Sequence, residues 1–199
     1  MKPYEGFKAE ISRGAKMEPL PEGAYVAVIK AAKIIGAEPN ETLVLRVDVA
    51  EGPYEGYFLK RYKHDSEKSN GKYEPRYKGD YRVYIYNPEN NKNRMYPESD
   101  KRKFESTIGC IEKSNPGYKW DWNKDSLVGK IVGINMQGDD YNGVPFTSIG
   151  QLEIADDVRE GKVRPMPRRK PRGDAYEPPV TIDDRTGYVQ VNTDEVPFD

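Results

Sequence analysis

The stretch "SDKRKFESTIGCIEKSN", residues 99–115, decides the fold because its hydrophobic period differs from that of the runs around it. Phe104, Ile108 and Ile111 recur at helical spacing, and Ser99 is placed to cap the helix N-terminus. The "NPG" at its end stops the pattern. The stretch therefore predicts one helix in a chain whose other patterned runs have the period of strands.

Those other runs alternate apolar and polar side chains, as half-buried strands do. In "ETLVLRVDVAEG" the inward set is Leu43, Leu45, Val47 and Val49. The set facing the other way is Val44, Arg46 and Asp48. The remaining predicted strand segments are "GAYVAVIKAAKIIG", "YEGYFLKRYK", "DYRVYIYN", "SLVGKIVGINMQG" and "GVPFTSIGQLEIA". A polar insertion, "HDSEKSNGKYEPRYKG", separates the two aromatic segments, and "GDDYNG" supplies the last turn.

The predicted order is strand, strand, strand with an insertion, helix, strand, strand. This is the connectivity of the OB-fold, a mainly β, five-stranded barrel with one helix between strands 3 and 4. Hydrophobic residues make up only 36% of the 199 residues, and they are concentrated before residue 155. We therefore expect one barrel domain, residues 1–158, and a disordered tail, residues 159–199, that is too poor in apolar side chains to fold.

Charge is strongly segregated along the chain, although the formal net charge is only -1. Residues 159–172 contain seven Lys or Arg and one Glu, a net charge of +6. Residues 173–199 contain seven Asp or Glu and one Arg, a net charge of -6. The tail thus joins a basic block that can meet phosphate to an acidic block that competes for the same cationic surfaces.

Several classes of site are disfavoured by composition. One cysteine, Cys110, excludes an internal disulfide, and one histidine, His64, leaves no ligand set for zinc. The sequence has no phosphate loop, dinucleotide fingerprint or nucleophile elbow, so we expect neither a cofactor nor an enzyme. No run has the length of a membrane span, and the N-terminus lacks a signal-peptide pattern, so we expect a cytoplasmic protein.

An aromatic and basic region is the strongest functional signal. Eight of the 15 tyrosines lie between Tyr54 and Tyr86, and eight Lys or Arg against four acids lie between Tyr57 and Arg82. Aromatic rings stack on bases and cations neutralise phosphates, so the region predicts a single-strand nucleic-acid surface. The alternative is that tyrosines simply suit strands. The predicted binding residues are Tyr57, Lys60, Arg61, Tyr62, Tyr77, Lys78, Arg82, Tyr84, Tyr86 and Trp120.

Within this region we expect one face to carry the nucleic acid. Tyr81, Val83 and Ile85 are predicted to face the core, which turns Arg82, Tyr84 and Tyr86 outward. Lys60 and Arg61 are expected to join that face from the adjacent strand. Trp120, which shares a face with Trp122 in "NPGYKWDWN", either stacks on bases or covers the open barrel end.

The chain resembles single-stranded DNA-binding proteins of bacteria and phages in its predicted strand order, its basic and acidic tail and its terminal "DEVPFD". The phrases "SNPGYKWDWNKDSLVGKIVG" and "AEGPYEGYFLKRY" resemble small proteins of the replication and recombination regions of phages and prophages of Gram-positive bacteria. The resemblance implies sequence-independent binding of single-stranded DNA in phage replication or recombination, in the host cytoplasm. It also implies a tip that recruits replication or recombination proteins: Asp194, Glu195, Val196, Pro197 and Phe198. Asp199 departs from the family pattern, which ends at Phe.

Two other classes of function stay open. One is a metal-dependent DNA-processing enzyme with Asp121, Asp139 and Asp140 as ligands, although Asp139 and Asp140 in "QGDDYNG" also suit a tight turn. The other is a protein-interaction module that uses the aromatic face. Homo-oligomerisation is compatible with either and is left open.

Overall fold

The chain is mainly β in a computed structural model that describes residues 17–37, 40–88, 95–141, 144–169, 181–182 and 189–190. Five strands form one antiparallel sheet: β1 (Gly23–Ile35), β2 (Thr42–Val49), β3 (Asp80–Tyr84), β4 (Ile131–Tyr141) and β5 (Val144–Glu153). Their order across the sheet is β3-β2-β1-β4-β5, and the sheet curls into a nearly closed barrel. This is the strand order of an OB-like fold, and the prediction is confirmed.

Four helical segments accompany these strands in the described part of the chain: α1 (Tyr57–Ser69), α2 (Pro97–Ser114), a 3₁₀ turn (Lys124–Leu127) and α3 (Ala155–Arg159). The predicted helix between strands 3 and 4 is α2, with Phe104 and Ile111 buried. It begins at Pro97 after the N-cap Tyr96, three residues earlier than a cap at Ser99 would place it. Proline suits the first helical position because its missing N–H would have no partner there, so the assignment of Ser99 as the cap was wrong.

The inward set of β2 forms the centre of the core. Leu43, Leu45 and Val47 have no exposed surface, and Val49 is 2% exposed. Tyr81 and Val83 of β3 are also buried, as predicted. Burial of this many aliphatic side chains supplies the main driving force for folding, at about 25 cal/mol per Å² of apolar surface.

The prediction that "YEGYFLKRYK" forms a strand was wrong, because residues 57–69 form α1. Tyr57 and Phe58 are both buried, and Tyr62 packs against the core. Phe58 and Tyr62 follow Tyr57 by one and five positions, which places all three on one face of a helix. An alternating strand would have separated Tyr57 from Phe58 on opposite faces. The aromatic content of the segment favoured a strand, whereas its spacing favours a helix.

The buried carboxylate of Asp48 explains why α1 begins where it does. Asp48 Oδ1 accepts hydrogen bonds from the backbone N–H groups of Val49 and Phe58, both at 2.9 Å. Its Oδ2 accepts from the N–H of Leu59 at 3.3 Å. The side chain therefore satisfies orphan donors of the first helical turn and places negative charge at the positive end of the helix dipole.

The start of the predicted tail lies against the barrel. We call residues 164–169 the strap, because three of its backbone groups hydrogen-bond to residues of β4. Thr181–Ile182 and Val189–Gln190 pair as a separate two-stranded antiparallel sheet. The predicted interaction tip at 194–198 lies outside the described residues.

Candidate nucleic-acid interface

The two edge strands of the sheet, β3 and β5, face each other across a groove that we call the seam. Two cavities of about 460 Å³ each lie along it, and both are lined by Tyr81, Lys103 and Gly150. One of these cavities, which we call the charged cavity, is lined by most of the basic side chains of the seam. The basic side chains that line this cavity are Arg76, Lys78, Arg82, Lys103 and Arg169.

The charged cavity is electropositive because Asp80, the one acidic residue among the described residues that line it, is neutralised. Asp80 accepts two hydrogen bonds from the Arg46 guanidinium, at 2.8 Å from Nε and 3.1 Å from Nη2. The hydrogen bond to Asp80 raises the pKa of Arg46 further above its ordinary value. Arg76, Lys78 and Arg82 are exposed and form no ion pair with any described residue.

An exposed aromatic ring lies at the same groove. Phe146 on β5 is 39% exposed and lines both the charged cavity and a smaller neighbouring cavity of about 130 Å³. Lys78 and Arg61 also line the smaller cavity. The seam and its extension thus combine cationic groups with a partly open ring, the two components that a single strand requires.

Three of the residues predicted from sequence lie at the seam: Tyr77, Lys78 and Arg82. Tyr77 is only 8% exposed, and its hydroxyl donates to the carbonyl oxygen of Val47 at 3.0 Å. The Arg46 guanidinium lies 4.6 Å from the centre of its ring. Burial, followed by the nearby Asp48 carboxylate, raises the pKa of the Tyr77 hydroxyl. Tyr77 therefore builds the wall of the groove, whereas Lys78 and Arg82 present charge to it.

Four predicted residues belong to α1, and the shared strand face proposed for Lys60 and Arg61 was wrong. Tyr57 is buried, and its hydroxyl donates to the carbonyl oxygen of Glu18 at 2.7 Å. Arg61 Nη1 donates to the Tyr57 hydroxyl at 2.8 Å, and Lys60 Nζ donates to the carbonyl oxygen of Glu55 at 2.8 Å. The fourth residue, Tyr62, packs against the ring of Tyr77, with ring centres 5.9 Å apart.

The outward face of β3 is shorter than predicted. Arg82 is exposed and Tyr84 half-buried, on the side opposite Tyr81 and Val83. The strand ends at Tyr84, so Tyr86 lies beyond it and packs partly against the core. The alternation expected for three outward residues therefore holds for only two.

Trp120 has contacts that support a covering role. Its ring lies 5.8 Å from the Phe104 ring and 4.8 Å from the Trp122 ring, and it packs partly against the core. The indole N–H donates to the carbonyl oxygen of Asn123 at 3.1 Å. Neither tryptophan lines the seam cavities.

The carboxylates considered as metal ligands do not converge. Asp139 and Asp140 lie within β4, where they pair with Phe146 and Pro145. The Asp121 carboxylate accepts from the Ser126 hydroxyl at 2.9 Å, and this bond lowers the pKa of Asp121. Among the described residues, no group of three or more His, Cys, Asp or Glu side chains is placed to hold a metal ion.

The single cysteine and the single histidine of the sequence are also placed differently from a reactive site. The single thiol, Cys110, is half-buried, and burial raises its pKa, which keeps it protonated at neutral pH. His64, the first residue of the polar insertion predicted from sequence, lies in α1, where its Nδ1 is 3.4 Å from Asp65 Oδ1.

Sequence reasoning missed Arg76, Lys103 and Phe146 as seam residues. Arg76 lies within the polar insertion, Lys103 on α2 and Phe146 on β5, so no single stretch of sequence contains the groove. The usable signal was the OB-fold order itself, because it makes the third and fifth strands the two edges that approach each other.

No protein-family model matches the chain, and no curated protein is significantly similar to it. None of the helices in the described ranges has the length and apolar character needed to cross a membrane.

Proposed function

We propose that the chain binds single-stranded DNA along the seam, without sequence preference and without a catalytic step. The observation that carries the proposal is a groove in which exposed cations, without an ion pair to any described residue, lie beside a partly exposed aromatic ring. Arg76, Lys78 and Arg82 supply the charge and Phe146 the ring.

The cations suit a phosphate backbone. Each phosphate neutralised on a single strand releases counterions and contributes about -0.7 to the slope of log binding constant against log salt. Arg76, Lys78 and Arg82 make no competing ion pair among the described residues, so phosphate binding breaks no internal salt bridge. The neutralised Asp80 adds little repulsion to an approaching anion.

The ring suits an unpaired base. Every base has a π-face, so stacking on an aromatic side chain tolerates any sequence. Phe146 is 39% exposed, and its side chain offers no hydrogen-bonding group to discriminate bases. Lack of sequence preference follows from contacts that are limited to phosphates and base faces.

The biological setting rests on the resemblance of the tail. A basic block followed by an acidic Pro-Phe tip resembles phage and bacterial single-stranded DNA-binding proteins, so we place the proposed binding in DNA replication or recombination. In that setting the tip at 194–198 recruits other replication or recombination proteins. A phage origin and a location in the bacterial cytoplasm are parts of the same proposal.

Fluorescence anisotropy of a labelled oligo-dT tests the proposal, since the tryptophans lie away from the seam. We expect salt-dependent binding, which Arg82→Ala weakens while reducing the salt slope by about 0.7. Lys113→Ala is the matched control, because Lys113 is exposed on α2 and lines neither seam cavity. Absence of binding at low salt, or equal losses in the two variants, would refute the seam as the site.

The same samples separate the other two classes of function. A metal-dependent enzyme would cut the oligonucleotide when Mg²⁺ or Mn²⁺ is added, and Asp139→Asn would abolish the cleavage. A protein-interaction module would leave the anisotropy unchanged at every salt concentration. We expect intact DNA and a salt-dependent rise in anisotropy.

A further inference from the structure

The strap is fastened to β4 along its length. Asn135 Nδ2 donates to the carbonyl oxygen of Arg164 at 3.0 Å, and Gln137 Nε2 donates to that of Pro167 at 2.8 Å. The backbone N–H of Arg169 donates to the carbonyl oxygen of Gly138 at 3.0 Å. The bonded residues occur in the same order along the strap and along β4, so the strap runs alongside this strand in the same direction.

Two glycines of the barrel leave room for the strap. A Cβ atom at Gly150 would clash with Met166 Sδ. One at Gly138 would clash with the Glu22 carboxylate, the partner of Arg168, and would lie 3.1 Å from Arg168 Cγ. Arg168 is also ion-paired with Glu22, with Nε 2.6 Å from Oε1. The barrel surface is therefore shaped to receive this segment, and the contact does not depend on charge alone.

The last residue of the strap reaches the seam. Arg169 lines the charged cavity together with Lys78 and Arg82. Its Nε donates to Gln137 Oε1 at 3.0 Å, and its Nη1 lies 3.4 Å from Asp139 Oδ2. Its Nη2 makes no hydrogen bond with a described residue. The guanidinium is thus oriented from one side while keeping donors for a ligand.

We infer that Arg169 is a phosphate-binding residue of the seam, which makes the groove a composite of barrel and strap; the inference rests on the proposed function. The planar guanidinium binds phosphate through paired N–H groups, and orienting contacts reduce the conformational entropy lost on binding. Gln137 and Asp139 provide that orientation. The binding site would then extend beyond β3 and β5 onto the outer side of β4.

Charge-matched substitutions in the strap test this role in the full chain with labelled oligo-dT. Arg169→Ala should weaken binding roughly fivefold at low salt and reduce the salt slope by about 0.7. Arg164→Ala removes the same charge from the same segment, but only the Arg164 carbonyl holds the strap, so its effect should be less than about twofold. Equal effects, or tighter binding by Arg169→Ala, would overturn the inference.

Arg169→Lys separates phosphate binding from a structural role. Lysine keeps the positive charge but loses the fork that contacts Gln137 and Asp139 together. A phosphate-binding role predicts that the salt slope is retained and the affinity partly retained. A merely structural role predicts that the lysine and alanine variants behave alike, which would contradict the inference.

The proposed function and this inference fail in different ways. If Arg82→Ala weakens binding and Arg169→Ala does not, the seam binds DNA without the strap. If the wild-type chain fails to bind oligo-dT at low salt, the proposed function fails, and the inference with it.

Discussion

The two sides of the barrel differ in what holds them together. We call β1, β2 and β4 the wall, because β1 pairs with β4 through residues 23–28 and with β2 through residues 27–35. The wall buries Ala27, Ile29 and Val132 completely. The seam joins β3 and β5 through a cavity lined by charged side chains, with no strand pairing between the described residues of these edges.

This difference separates stability from binding. The wall supplies hydrogen-bonded backbone and apolar burial, so it tolerates few substitutions. The seam contributes little of either, and its cations remain solvated, so it can carry several like charges without unfolding the barrel. We therefore expect substitutions in the wall to change the free energy of unfolding, and substitutions in the seam to change DNA affinity.

The largest effect is expected in the wall from Ile29→Ala. Ile29 is fully buried in β1, so the truncation removes apolar contact and leaves a cavity, at a cost of about 2–5 kcal/mol in unfolding free energy. Urea denaturation measures the cost. The folded variant should bind oligo-dT as the wild type does. A loss of DNA affinity in parallel with the loss of stability would contradict the separation of stability from binding.

The next effect concerns Asp48, which joins the wall to α1. Asp48→Ala removes the acceptor of three backbone N–H groups and should destabilise the chain by about 3 kcal/mol. Helical circular dichroism should fall as α1 frays. The control is Asp65→Asn, because Asp65 lies within α1 and is partly exposed. Equal losses of stability in the Asp48 and Asp65 variants would show that Asp48 does not cap α1.

Phe146→Ala tests the aromatic component of the seam. The proposed stacking predicts a loss of about 1–3 kcal/mol in binding, with the salt slope unchanged because no charge is removed. Val144→Ala, at an exposed position on the same strand, should leave the affinity nearly unchanged. Isothermal titration with oligo-dT compares them, and matching affinities would exclude Phe146 as a stacking platform.

A smaller effect is expected at Glu112, which belongs to α2 and lines neither seam cavity. This carboxylate accepts from Lys119 Nζ at 2.7 Å and from the N–H of Trp120 at 3.0 Å, and the two bonds lower its pKa. A lowered pKa stabilises the fold above the unfolded value of about 4.3, and the benefit is lost as pH falls through the folded pKa.

The Glu112→Gln variant isolates that charge. It should be less stable than wild type by under about 1 kcal/mol at pH 7, because the ion pair is largely solvent-screened. In urea denaturation curves measured across the acid range, the difference should shrink as pH falls below about 4.3 and disappear below the folded pKa of Glu112. A gap that stays constant with pH would show that the glutamate charge does not contribute.

The two helices show how far sequence alone predicts this fold. The helix α2 was predicted because Phe104, Ile108 and Ile111 repeat at helical spacing within one stretch. The helix α1 was missed because its start depends on Asp48, ten residues before Phe58 and on another element. In β2 the inward residues are buried as predicted, whereas only Arg46 of the opposite set is exposed, because Val44 and Asp48 are each 2% exposed.

The candidate site was harder to predict for a related reason. Lys78 and Arg82, which were predicted as binding residues because the basic region around β3 is visible in the sequence, line the charged cavity. The groove as a whole was not predicted, because Lys103 and Phe146 lie on other elements and are brought to it only by the barrel topology. Tyrosines misled the prediction in particular: Tyr57 and Tyr77 are buried, with their hydroxyls bonded to backbone carbonyls.

The most direct test of the central claim is the salt dependence of oligo-dT binding by the triple variant Arg76→Ala, Lys78→Ala and Arg82→Ala. These three exposed cations form no ion pair among the described residues, so the variant should remain folded. We predict that the slope of log binding constant against log salt becomes shallower by about 2, from three lost phosphate contacts. A folded triple variant that binds with the wild-type affinity and slope would contradict the claim that the seam is the DNA-binding site.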